Sequence, residues 1–374
     1  VLSQPEINIL FFVLQFLSYL SNDLIEQMFE NGILNKIMEL YVNNDNRESA
    51  IILLYIFGNS CSLMNISECF QEVLFNSLYE FLPNDSIPLK ASCIYCLFIL
   101  TKYFRMPDHL TCNFFVSFKE ILQNYMRNIT EIEKETEIIE NSKDDNDCKH
   151  DENDKDQYET NEYCDYESDE YDESQNEKNE DEDILVSLNE KISNQKYYDK
   201  MLNYIIDILG KYSKEASDYI VVTAIPSFLL GIINFFSDDV KFKFLSIIKN
   251  TLQNIPKENG VEIFKHSETA SDVYIIANLL DLSDNSITAV IYDILYEIEL
   301  IDPLLIRDLI SKNLIHRSID LIISVDIYAK ISILNFLSLI YTHDVSNDFS
   351  GDIINEQFID ELVEMKEQSE DLII

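Results

Sequence analysis

Apolar residues along this chain recur at spacings of three and four, in blocks separated by short polar runs, the pattern of amphipathic helices rather than strands. Leu24, Ile25, Met28 and Phe29 share one helical face, after Asp23 as a cap and before Gly32, which suits the left-handed residue that ends a helix. Two longer apolar blocks follow at 33–42 and 47–60, divided by the polar run at 43–46. The same order returns 191 residues later. Superposing 32–59 on 223–250 places Leu34, Ile37, Met38, Tyr41 and Val42 on Ile225, Phe228, Leu229, Ile232 and Ile233. It also places Leu53, Leu54, Ile56, Phe57 and Asn59 on Phe244, Leu245, Ile247, Ile248 and Asn250. Each copy predicts a short helix, a longer one and a longest one.

Further cycles fit between and beyond these two. Ser3 to Glu6 has the form of a capping box opening a helix that runs to about Leu20. A cycle at 67–103 predicts helices at 70–81 and 89–104 around a Pro-bearing loop, and 108–129 predicts another. Helical patterning resumes at 184–191 and 197–212. A third cycle covers 215–253 and a fourth 261–299, with helices at 273–280 and 288–298. The fifth, at 302–342, has helices at 304–310, 315–323 and 328–341, and 352–374 reads as the start of another. A helical unit repeated at about 40 residues is the mark of a solenoid. The predicted fold is all-α: a right-handed α-solenoid of stacked three-helix repeats.

The cycle resembles the armadillo repeat family. Gly32-Ile33-Leu34 and Ala224-Ile225-Pro226, with Leu229 after them, stand where that family has Gly-Ala-Ile-Pro between its first two helices. The third helices match through 53–59 and 244–250, each ending in Asn. The likeness is clear over 22–60 and 214–253, weaker over 64–104 and 261–342, and close to that of HEAT repeats. It implies a concave face lined by third helices, where Asn59 and Asn250 would clamp the backbone of a bound peptide, since an amide side chain both donates and accepts. Nuclear transport adaptors of the importin-α kind place Trp four residues before such an Asn. Here Tyr55 and Ser246 occupy those places and the chain has no Trp.

Composition narrows the classes of function. With 6 Gly and 7 Pro in 374 residues, a fold of many tight turns is disfavoured. The formal net charge is −41. Residues 131–183 hold 25 acids and 5 lysines, a net of −20, so the remainder carries −21. Both parts argue against nucleic acid and anionic lipid and favour a basic partner. The acidic stretch has little aliphatic content after Ile139 and predicts disorder, an insertion between repeat blocks at 1–130 and 184–374. Ser174, three before Glu177, fits an acid-directed kinase site. Residues 219–236 are uncharged for 18 positions, near the ~20 that span a bilayer. Pro226 and the flanking Asp218 and Asp238 instead predict a buried helix pair.

No catalytic, metal-binding or cofactor-binding pattern emerges. Cys93 and Cys96 have no second pair at zinc spacing and lie in an apolar run, which predicts core positions. An odd count of seven cysteines, the five outside the acidic stretch set in apolar helices, predicts reduced thiols, in the cytosol or nucleus. Asn65 and Asn128 head glycosylation-like triplets of a kind common by chance in an Asn-rich chain. The five histidines show no metalloprotease spacing. The chain therefore reads as a non-catalytic scaffold that binds an extended or helical protein segment through Tyr55, Asn59 and Asn250. An importin-α-like carrier of basic cargo is the first alternative. A regulatory subunit positioning an enzyme such as a phosphatase is the second.

Overall fold

The computed structural model describes residues 85–149, 173–260, 272–281, 284–311 and 314–343, with a few positions before 85. All the regular structure among these residues is helical. In chain order the helices are α1 (Ile87–Tyr103), α2 (Asp108–Lys149), α3 (Glu173–Glu215), α4 (Ser217–Val222), α5 (Ile225–Ile232) and α6 (Asp238–Asn254). Then come α7 (Lys257–Gly260), α8 (Asp272–Asn278), α9 (Asn285–Ile301), α10 (Pro303–Ser311), α11 (Leu314–Ser324) and α12 (Ile327–His343). The chain gathers into two compact units, one holding 77–100 and 120–203, the other 101–119 and 204–374.

In the first unit, α2 and α3 run antiparallel. Tyr125 meets Tyr198 edge to face at 6.1 Å. Asn128 Nδ2 donates to Gln195 Oε1 at 2.9 Å and to the Lys191 carbonyl at 3.2 Å. Lys191 Nζ bridges Glu131 at 3.1 Å and Glu135 at 2.6 Å. Asn128, the glycosylation-like residue, is thus engaged between helices. These bonds also correct the expected helix ends. Lys191 and Gln195 both hold α2, so α3 passes through Ser193 and Asn194 without the expected break. At the acidic stretch, α2 continues as helix to Lys149 and α3 begins at Glu173, where disordered chain is expected. Glu and Lys are good helix formers, and lack of a buried face does not cancel that local preference. The expected boundaries at 130/131 and 183/184 fall inside these two helices, and 150–172 lie outside the described residues.

In the second unit the described helices from α4 onward, α7 apart, follow the predicted cycles. α4, α5 and α6 occupy the third predicted cycle, α8 and α9 the fourth, and α10, α11 and α12 the fifth. α6, α9 and α12 are each 17 residues long. α9 packs against both α6 and α12. From Ile287 to Ile301 no residue of α9 is exposed, which is why its sequence is apolar almost all round. Aspartates start two of these helices: Asp284 accepts from the Ile287 amide and Asp326 from the Ala329 amide, both at 2.9 Å. Gly260 closes α7 where a Cβ would lie 2.6 Å from Ile301 Cδ1, so only glycine lets the two come this close.

The uncharged run at 219–236 is not one helix. It divides into the end of α4, α5 and a 3-10 turn over Ile233–Phe235. Among the described residues no helix is long and apolar enough to cross a membrane. The break between α4 and α5 turns on Ala224, whose φ of 52° and ψ of 34° are left-handed. Pro226 sits in the first turn of α5, where its missing amide costs nothing. Gly32 has the matching conformation, φ 73°, as its sequence position predicts. In the superposition Gly32 falls on Thr223, so the left-handed residue of this break, Ala224, stands one position later and carries a Cβ.

A buried phenol fixes the entry to α2. Tyr212 Oη accepts the Met106 amide at 2.6 Å, and its ring packs edge to face on Phe115 at 5.9 Å. Burial pushes the Tyr212 phenol up to about 12. Replacing Ala224 by Gly is expected to raise stability by about 1 kcal/mol in urea unfolding, because it relieves the left-handed Cβ clash. Tyr212→Phe strands a buried amide and is expected to cost about 1–3 kcal/mol by the same measurement.

Candidate functional site

The long helices α6, α9 and α12 are joined by polar and aromatic pairs that share one spacing. Lys249 Nζ donates to Asp293 Oδ2 at 2.6 Å and Gln253 Nε2 to Glu297 Oε1 at 3.1 Å, each pair 44 residues apart. Between α9 and α12, Tyr292 stacks at a tilt on Phe336 at 5.7 Å. His343 Nδ1 lies 2.9 Å from Glu299 Oε1, again 44 residues apart. Residue number rises together along both members of each pair, so neighbouring long helices run parallel. Parallel neighbours need a return segment between them, which the shorter helices provide.

Asn250 lies on α6, half-buried, one turn before the last residue of that helix. It does not cap the helix end. Asn254 Nδ2 donates to the Asn250 carbonyl at 2.7 Å, and the Asn250 side chain makes no hydrogen bond among the described residues. Ser246, one turn earlier, is half-buried on the same face. Lys249 and Gln253 flank Asn250 and reach across to α9. Tyr55 and Asn59 lie outside the described residues.

Beyond Asn250, Asp293 and Glu297 on α9 are partly exposed along this edge, and Ser338, 88 residues after Asn250, is exposed on α12. Sequence reading missed the lysine, glutamine, glutamates and histidine that cross-link the helices. Taken singly they are ordinary polar residues. Only their common separation, tested pair by pair, would have signalled them.

The remaining reactive side chains are placed as structure. Cys93 and Cys96 are both fully buried in α1, as their apolar surroundings predict. Burial, and after it the neighbouring Cys96, pushes the Cys93 thiol well above its usual range. His316 is exposed on α11. Among the described residues no group of His, Cys, Asp and Glu could hold a metal ion. The inner face is sealed by Tyr292, whose hydroxyl donates to Ser318 Oγ at 2.8 Å while Ser318 donates to the Leu314 carbonyl at 2.7 Å.

The sequence matches no protein-family model and no curated protein. What this edge can do chemically follows from its own groups: the half-buried Asn250 amide, which can donate and accept, beside carboxylates that pair with Lys249 and Gln253 across the helices. A double-mutant cycle on Lys249→Met and Asp293→Asn is expected to give a coupling of about 1 kcal/mol, since the pair is about three-quarters buried, with both side chains 27% exposed. A coupling near zero would mean that α6 and α9 are not neighbours in this register.

Proposed function

We propose that this chain is a non-catalytic protein-interaction scaffold. It is read as a right-handed α-solenoid of armadillo-like three-helix repeats that binds an extended or helical partner segment along its third helices, α6, α9 and α12. The observation that carries this reading is the parallel succession of three 17-residue helices at a constant cross-link separation of 44 residues. A parallel array grows by adding whole repeats, and its edge forms a continuous strip instead of a closed pocket. Such strips suit long, thin ligands.

The net charge of −41 selects a partner with a basic segment. Asn250 contributes a donor and an acceptor that no neighbouring side chain uses among the described residues, which supports a backbone-clamping role. Tyr55 and Asn59 are assigned the same role on the first repeat by their matching sequence positions. The cytosol or the nucleus is the setting that the cysteines favour.

The test is site-specific photo-crosslinking with a synthetic Lys/Arg-rich peptide. A benzophenone side chain introduced at Ser246 or Ser338 is expected to give peptide adducts. The same group at His316 or Val222, exposed on shorter helices, is expected to give few. Adduct formation is also expected to fall steeply as salt rises, because exposed charges are screened within ~10 Å at 0.1 M. Equal labelling from both sets of positions would defeat the proposal.

A further inference from the structure

The two joints of the long-helix array differ in kind. Between α6 and α9 the cross-links are a lysine–aspartate pair and an amide–carboxylate bond. Between α9 and α12 the polar cross-link is Glu299 with His343. Glu299 is 3% exposed, so its carboxyl sits in the packed layer between the helices. His343 stands at the end of the described part of α12.

We propose that Glu299 and His343 form a proton-dependent clasp that holds α12 to α9, and that this joint loosens as pH rises past neutrality while the α6–α9 joint does not. Histidine is the side-chain type whose charge ordinarily changes near neutral pH, and the α6–α9 cross-links contain none. With the imidazole protonated, the buried carboxylate has a counter-charge 2.9 Å away. Once the imidazole gives up its proton, the carboxylate keeps its burial and loses that compensation.

Among the described residues, the other charges around α9 do not replace it. Asp302, in the turn into α10, is the second charged group acting on Glu299, and it is of like sign. Lys249 of α6 is committed to Asp293. Lys257 and Glu258 of α7 and Arg307 of α10 are exposed and make no bond to Glu299. Burial raises the Glu299 carboxyl above its usual range, with His343 opposing and Asp302 reinforcing that shift. A carboxyl raised in the folded state favours folding at low pH and disfavours it as pH climbs through its folded value. The raised Glu299 carboxyl therefore acts toward a weaker joint at higher pH.

Hydrogen exchange on the full chain tests this, at about pH 6 and about pH 8.5, after correction for intrinsic exchange. In the wild type, amides of the second half of α12 are expected to lose about tenfold in protection at the higher pH, the size expected for losing a charge-assisted bond, while α6 changes little. Glu299→Gln, which keeps an acceptor for the imidazole, is expected to abolish the difference. His343→Lys, which keeps the cation at both pH values, is expected to hold α12 protected throughout. A pH response in α12 that survives Glu299→Gln, or a wild type with none, overturns the clasp. The mutant comparison does not depend on partner binding.

Discussion

Two-sided burial of α9 is the constraint on which the second unit depends. A helix covered on one flank by α6 and on the other by α12 must be apolar on nearly every face. Ile291, Ile294, Leu295 and Ile298 meet that demand with essentially no exposed surface. Each fully buried side chain of this size contributes roughly 1.5–3 kcal/mol. The few polar groups that survive there must therefore be paired. Tyr292 is satisfied by Ser318, and Glu299 is answered by a histidine. Polar residues in this layer fix register and direction, because any slip by one residue would separate all of the pairs spaced by 44.

Apolar spacing alone carried much of this architecture in readable form. The third and fifth cycles were legible helix by helix, since α4, α5, α6, α10, α11 and α12 each bury a stripe that repeats at three and four residues. In the fourth cycle the helices ending it, α8 and α9, were legible too, and 261–271 lie outside the described residues. The position of Asn250 on a long helix was also legible. Its lack of a capping role was not, because the end of α6 depends on Ile255 taking an extended conformation four residues beyond the last apolar turn.

What escaped the sequence has two physical sources. The continuity of α2 and α3 through acidic and Ser/Asn-bearing stretches depends on local helix propensity together with contacts between residues as far apart as 128 and 195. A reading based on core-forming capacity weighs neither. The left-handed turn at Ala224 was hidden for another reason. Gly32 announces such a conformation by its identity, whereas an alanine adopts it only because α4 and α5 are held at a fixed angle by the burial of Ile220, Ile225 and Leu229.

The phenols of Tyr212 and Tyr292, both enclosed and both pushed up to about 12, give the protein an unusual optical character. The chain has 21 tyrosines and no tryptophan, so its longest-wavelength near-ultraviolet absorption comes from phenol rings, while its 22 phenylalanines absorb at shorter wavelength. No indole stands by to accept and mask their excitation energy. The two sealed rings sit in different parts of the second unit, one beside the α2 entry and the other between α9 and α12. They form a built-in pair of chromophores that stay un-ionised up to about pH 12 while the helices around them remain closed.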